Sequence, residues 1–214
     1  TAIVTVEDNV VPTVLTQDIT VQLDATGNVS ISEDAVDAGS SDACGGLVYD
    51  TDITDFTCTE LGDNTVTLTV TDANGNSSIG TAIVTVQDVT APTPDIATLP
   101  DVTAECEVTS LTAPTATDNC GGAVTVTNDA SLPINTQGTT IVTWTYEDAV
   151  GNTSTQTQNI VITDATAPTP DAASLAAVTA ECSVTSLTAP TATDNCAGVV
   201  TVTNAASLPI TAQG

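Results

Sequence analysis

Residues 71–78 read TDANGNSS, with Asp72, Asn74 and Asn76 at alternate positions and Gly75 between the two asparagines. Oxygen donors this closely spaced suit two kinds of chemistry. They can close a turn by hydrogen bonding to their own backbone, or they can converge on a hard cation such as Ca2+, which takes about six to eight oxygen ligands. Carboxylates recur at related places. Asp8, Asp88 and Asp164 end the runs TAIVTVED, TAIVTVQD and NIVITD, and Asp42, Asp118 and Asp194 precede the cysteines of DAC, DNC and DNC. Asp148 and Asn152, in DAVGN, repeat the Asp72 and Asn76 pair. These eleven residues are the candidate metal ligands, with Ca2+ as the expected ion. Turn capping is the competing reading of each motif taken singly.

The charge balance narrows the chemistry. The chain has 27 acidic residues and no Lys, Arg or His in 214, giving a net charge of −27. Phosphate neutralisation in nucleic-acid binding needs Lys and Arg, and attraction to anionic lipid needs a basic patch. A Ser–His–Asp site, a Schiff-base lysine and a histidine-ligated zinc are likewise impossible. No nucleic-acid partner, no membrane insertion and no enzymatic activity are expected, and the natural small partners are cations. No run of 18 apolar residues occurs. The sequence shows no signal peptide and no initiator Met, and it opens and stops in mid-pattern, so it reads as a piece of a longer polypeptide.

Six cysteines form three pairs with the same 14-residue separation: Cys44/Cys58, Cys106/Cys120 and Cys182/Cys196. No C-x-x-C zinc motif is present. Evenly spaced pairs without catalytic partners read as disulfides and place the chain outside the cytoplasm. Bridges within each repeat are expected, Cys44–Cys58, Cys106–Cys120 and Cys182–Cys196, because any other pairing would cross between repeats taken to fold independently.

Repetition organises the elements that must position these groups. TAIVTVEDNVVPT at 1–13 returns as TAIVTVQDVTAPT at 81–93, and residues 168–214 match 92–138 at 37 of 47 positions. The boundaries follow: 1–8 is the last strand of a preceding repeat, 9–88 a first subtype, 89–164 a second subtype, and 165–214 a truncated copy of the second. DITVQLD, TVTLTV, AVTVT, TIVTWTY and IVTVQD alternate apolar and polar residues at period two, the strand signal, and AVDAG at 35–39 reads as one short turn. Thr and Val suit a pleated, half-buried surface. The fold class is therefore all-β, with tandem immunoglobulin-like Greek-key β-sandwich repeats. Leu68 and Val70 align with Trp144 and Tyr146, and all four are placed in the core. With one Trp, two Tyr and one Phe, that core is thin, and domains this small need help from disulfides.

The motifs ECEVTSLTAPTATDNCGG, the D-x-(T/V)-(A/V)-P-T linkers and the D-x-x-G-N loops resemble hyalin-repeat (HYR) domains. Two alternating subtypes without basic residues are similar to the giant repetitive surface adhesins of gliding Bacteroidota. The resemblance implies an extracellular, cell-surface stalk: a semi-rigid filament used in adhesion and gliding motility. Its implied partners are the neighbouring repeats, with surface glycans or other cell-surface components at the binding end. The first repeat departs from the pattern, because Cys58 follows the shared Cys44 whereas Cys106 and Cys182 precede their DNC partners.

A carbohydrate-binding or other ligand-binding module is the alternative function, but it calls for exposed aromatic residues, and Trp144 and Tyr146 are placed inside. An ice-binding Thr array is disfavoured by sheet twist. Asn28, Asn76 and Asn152 head Asn-x-Ser/Thr matches and are read as unmodified.

Overall fold

Val, Leu and Ile alternate with Thr through much of 62–71 and 77–87, and these segments form a long hairpin that buries Val66, Leu68, Val70, Ala82, Val84 and Val86 on one face. The computed structural model describes residues 2–196 and 198–211. In chain order its strands are β1 (Ile19–Gln22), β2 (Asn28–Ser30), β3 (Val48–Thr51), β4 (Asp55–Thr57), β5 (Gly62–Thr71), β6 (Ser77–Gln87), β7 (Thr93–Pro94), β8 (Val102–Ala104), β9 (Ala116–Thr117), β10 (Thr125–Asn128), β11 (Gly138–Glu147), β12 (Thr153–Ile162), β13 (Thr169–Pro170) and β14 (Ala192–Thr193). A single 3-10 turn, Cys58–Glu60, is the only helical element among the described residues. No helix among them is long and apolar enough to cross a membrane. The chain is all-β, as its period-two patterning requires.

Two four-stranded sheets share one plan. The first runs β1-β6-β5-β3 and the second β8-β12-β11-β10. In each, a central antiparallel hairpin is flanked by a short edge strand that pairs in parallel with the hairpin's second arm: Ile19 opposite Val84, and Val102 opposite Ile160. Ribbons of two or three residue pairs, β2-β4, β7-β9 and β13-β14, complete the structure. Residues 2–8, expected as a strand, carry no strand pairing, and a strand needs a neighbouring edge to pair with. A turn overlaps the expected 35–39 but sits earlier, at 34–37, closed by the bond from the Asp37 N–H to the Asp34 carbonyl.

The first core is Val66, Leu68 and Val70 of β5 against Ala82, Val84 and Val86 of β6, joined by Leu23, Val36 and Phe56. In the second sheet Val142, Trp144, Tyr146, Ile160 and Ile162 are buried. The inward placement of Leu68, Val70, Trp144 and Tyr146 follows from alternation alone. Burying the Trp144 indole requires a partner: its Nε1–H donates to Gln158 Oε1 at 3.0 Å, and Gln158 Nε2 donates to the Pro100 carbonyl at 2.9 Å.

The chain divides into two compact units. One comprises Thr1–Ala97, Pro114–Thr127 and Thr145–Thr155, the other Thr98–Ala113, Asn128–Trp144 and Gln156–Gly214. The Asp8 and Asp88 clusters described next lie in the first unit, and the Asp164 cluster lies in the second.

Candidate functional site

The loop after β5 is built around Asp72, which is 4% exposed. Its Oδ1 accepts from the N–H groups of Asn74 and Asn76 at 2.8 and 2.9 Å, and its Oδ2 accepts from Asn76 Nδ2 at 2.8 Å. Asn76 Nδ2 also donates to the carbonyl of Asp8 at 3.1 Å. The loop after β11 repeats the device. Asp148 Oδ1 accepts from Val150, Gly151 and Asn152 N–H groups, and its Oδ2 accepts from Asn152 Nδ2, which reaches the Asp88 carbonyl at 3.2 Å. Gly75 and Gly151 sit at φ of 92° and 98°, which L side chains rarely adopt. Hydrogen bonds to an ionised carboxylate favour the ionised form. The Asn76 side chain, with the loop N–H groups, holds Asp72 below its ordinary value of 3.8. Burial opposes ionisation of Asp148, and the bonds from Asn152, Val150 and Gly151 outweigh it, so Asp148 is also held low.

The linker aspartates face the D-x-C aspartates. Ligand atoms of Asp8, Asp42 and Cys44 lie within 4.8 Å of one another, as do those of Asp88, Asp118 and Cys120, and of Asp164, Asp194 and Cys196. Each carboxylate spends an oxygen on the turn it begins. Asp8, Asp88 and Asp164 Oδ1 accept from Val10, Thr90 and Thr166 N–H at 3.0, 3.0 and 3.1 Å. Asp42 Oδ1, Asp118 Oδ2 and Asp194 Oδ1 accept from Cys44, Cys120 and Cys196 N–H at 2.8, 2.9 and 2.9 Å.

The eleven candidate ligands therefore divide. Asp8, Asp42, Asp88, Asp118, Asp164 and Asp194 are brought together as three pairs, with an oxygen of each beyond the one that caps its turn. Asp72, Asn76, Asp148 and Asn152 instead form clamps that fix the linker carbonyls, their bonding capacity largely consumed within the loop. Asn74 contributes its backbone N–H, and its side chain is exposed.

The disulfide expectation is corrected. The bridges are Cys58–Cys120 and Cys106–Cys196, and Cys44 and Cys182 are free and exposed. None of the expected bridges, Cys44–Cys58, Cys106–Cys120 or Cys182–Cys196, forms. The reason is the length of the hairpin. Cys58 precedes β5, whereas Cys44 belongs to the loop that meets the other end of β5, where Gly46 packs on Ala73. Ten strand residues rise ~33 Å, and a bridge needs Cα atoms within about 7 Å. The bonded pairs have Cα separations of 5.2 and 5.0 Å. Beside free Cys44, a hydrogen bond to Asp8 and the negative charge of Asp8 raise the thiol above its ordinary value of 9.0.

Residues that patterning did not single out surround the first bridge. Asn119 Nδ2 donates to the Asp24 carbonyl at 3.1 Å. A Cβ at Gly27, φ 76°, would stand 2.7 Å from Cys58 Sγ and 3.1 Å from the Asn119 carbonyl. Around the second bridge, Asn195 Nδ2 donates to Glu105 Oε2 at 3.0 Å. The available signal was the recurrence of Asn in DNC at 119 and 195.

Parts of the chain are similar to known proteins. Residues 89–162 match the family described as "HYR-like domain with 4 cysteines"; this segment holds two, Cys106 and Cys120. Hyalin of Strongylocentrotus purpuratus is 39% identical over 120 residues, covering 50% of this chain and 10% of that protein. Hyalin of Lytechinus variegatus is 35% identical over 120 residues, covering 51% of this chain and 22% of that protein. The chain thus spans a tenth to a fifth of the length of these relatives. Among solved structures, Drosophila N-cadherin EC1-4 aligns with a TM-score of 0.38 at 12% identity, over 71% of this chain and 49% of that one. Residues 89–162 thus resemble an HYR-like domain, and about half of the chain is similar to part of two hyalins.

Proposed function

We propose that this chain is a run of stalk repeats from a secreted cell-surface adhesin, forming an extended, semi-rigid filament that holds a distal binding element away from the cell and serves adhesion and gliding motility. No catalysis is part of this reading. The observation that carries it is the interlacing of the disulfides. Cys58–Cys120 begins in one sequence repeat and ends in the next, and Cys106–Cys196 begins before the first bridge has closed. Overlapping loops of this kind limit how far the chain can be drawn out, the property required of a stalk under tension. The HYR match and the hyalin relatives favour an adhesion module over other extracellular roles.

Cells displaying the full-length protein, held under shear flow, test the reading. Replacing Cys58 and Cys120 together by Ser is expected to leave attachment at rest unchanged and to lower the shear at which cells detach. The isolated 214-residue chain, added in excess, is expected not to compete with attachment. Saturable competition would overturn the stalk reading in favour of a ligand-binding module.

A further inference from the structure

We propose that Asp88 and Asp118 together bind a divalent cation of calcium type. This goes beyond the stalk reading and does not depend on it.

Asp88 and Asp118 are 9% and 8% exposed, and their ligand atoms approach within 4.8 Å. Turn capping accounts for one oxygen of each: Thr90 N–H on Asp88 Oδ1, and Cys120 N–H on Asp118 Oδ2. The other Asp118 oxygen, Oδ1, is buried and has no hydrogen-bond partner. Buried polar atoms are satisfied in the great majority of cases, and a buried carboxylate oxygen beside a second carboxylate is among the costliest exceptions. Turn geometry explains the capped oxygens only. It leaves Asp118 Oδ1 buried and unpartnered beside a second carboxylate.

Something positive must resolve that charge, and the chain contains no Lys, Arg or His to do so. Two carboxylates balance one divalent ion. The donor set selects its class: carboxylate oxygens suit Ca2+ or Mg2+ over the softer metals, and Cys120, being in a disulfide, offers no thiolate to zinc or copper. An irregular pair of ligands on two loops, completed by water, suits Ca2+, which tolerates variable geometry, better than Mg2+, which demands a near-ideal octahedron. Only two charged ligands are supplied per site, so the affinity falls in the range of extracellular modules, Kd about 10⁻⁴–10⁻³ M. Asp148 is not a ligand. Its oxygens are filled by its own loop, and its role is to present Asn152, which anchors the Asp88 carbonyl.

Isothermal titration of the oxidised, chelator-stripped chain with CaCl2 tests the proposal. Saturable binding is expected, and Asp118→Asn should remove one site from the stoichiometry. Asparagine keeps the acceptor for the Cys120 N–H, so the turn survives, and a circular dichroism spectrum matching the wild type confirms folding. Asp50→Asn removes the same charge from an exposed strand position and should leave the stoichiometry unchanged. A melting temperature that rises with CaCl2 and returns with chelator gives a second, independent reading on the unmodified chain. Absence of saturable binding, equal losses in Asp118→Asn and Asp50→Asn, or equal affinity for MgCl2 would each overturn the assignment. None of these outcomes bears on the shear experiment, so the two readings fail separately.

Discussion

Asn152 reaches 64 residues back along the chain to donate its side-chain amide to the Asp88 carbonyl at 3.2 Å, and Asn76 makes the same contact with Asp8 at 3.1 Å. One residue type at one loop position thus ties the final hairpin of a repeat to the linker that begins that repeat. The amide is itself held by the buried aspartate four residues earlier, so the Asp–Asn pair acts as a single clamp. This explains why aspartate and asparagine recur together in loops whose flanking sequences differ: TDANGNSS in one case, EDAVGNTS in the other.

The clamps carry a pH signature. Asp72 and Asp148 are held below the ordinary value of 3.8 in the folded chain. A depressed folded value contributes stability that is fully present above about pH 4 and is lost as pH falls through the folded value. Relief of repulsion among the 27 acidic groups acts in the opposite sense, so total stability is the wrong observable. The difference between the wild type and an Asn76→Ala, Asn152→Ala double variant cancels the repulsion common to both. At pH 7 urea unfolding is expected to place each single variant about 1–3 kcal/mol below the wild type. That gap should narrow as pH falls from 4 to 2. A gap independent of pH would show that the asparagines act through packing alone.

Gly27 should tolerate no side chain. Its φ of 76° disfavours L residues, and a Cβ would meet Cys58 Sγ at 2.7 Å and the Asn119 carbonyl at 3.1 Å. A disulfide sulfur and a backbone carbonyl cannot swing aside as the tip of a flexible side chain can. Gly27→Ala is expected to lower stability by about 1–3 kcal/mol. Gly39, with φ 100° but nothing near its Cβ position, should cost less when changed to Ala. Thermal melts of the two variants compare them, and a larger loss at Gly39 would contradict the contact argument.

Interlaced bridges predict a specific response to force. Drawn out fully, the 138 residues from Cys58 to Cys196 would span ~480 Å at about 3.5 Å each. With Cys58–Cys120 and Cys106–Cys196 closed, the shortest covalent route crosses both bridges and only the 14 residues from 106 to 120, ~50 Å. Single-molecule pulling on the oxidised chain should therefore release an order of magnitude less length between these positions than the reduced chain does. Thiol titration of the unfolded, oxidised chain should count two free groups, Cys44 and Cys182. Long extension in both states would mean that each repeat is stapled separately.

The strands and the core were legible in the sequence because period two fixes which side chain faces inward. Leu68, Val70, Trp144 and Tyr146 needed nothing else. The meeting of loops 40–46 and 71–78 with the linker was legible too, since hairpin connectivity decides which loops share an end. The cysteine partners were not. A separation of 14 residues looks local, yet it carries the chain from one end of β5 to the other, and strand length, not sequence distance, decides which sulfurs meet. The division of the aspartates into clamps and facing pairs was equally hidden, because Asp72 and Asp118 sit in similar D-x-(N/C) contexts. Only the hydrogen bonds show that Asp72 is filled by its own loop while Asp118 keeps one oxygen unpartnered. Ribbons such as β7-β9 lack a patterning signal altogether. The β7-β9 ribbon is extended by the bond from the Asp95 N–H to the Thr115 carbonyl at 3.0 Å and by that from the Thr117 hydroxyl to Asp95 Oδ1 at 2.7 Å.

Near-identical sequence meets different surroundings in the last two repeats, and this yields the last prediction. Leu99 is 8% exposed, whereas its counterpart Leu175 is 66% exposed, and Val178, the counterpart of β8's Val102, is 63% exposed. Val102–Ala104 pair in parallel with Ile160–Ile162 of β12, while residues 178–180 have no strand partner. Leu175, Val178, Leu187 and Val202 instead line an open groove. Amide protection follows local burial and hydrogen bonding rather than sequence. Hydrogen exchange followed by mass spectrometry should therefore show amides of 178–180 exchanging at least about tenfold faster than those of 102–104, a difference of about 1.4 kcal/mol in opening free energy. Because VTA occurs unchanged at both positions, intrinsic exchange rates nearly cancel and the comparison isolates the covering strands. Equal protection at 178–180 would show that the groove is covered in solution. Concentration dependence of that protection would then identify a second copy of the chain as the cover.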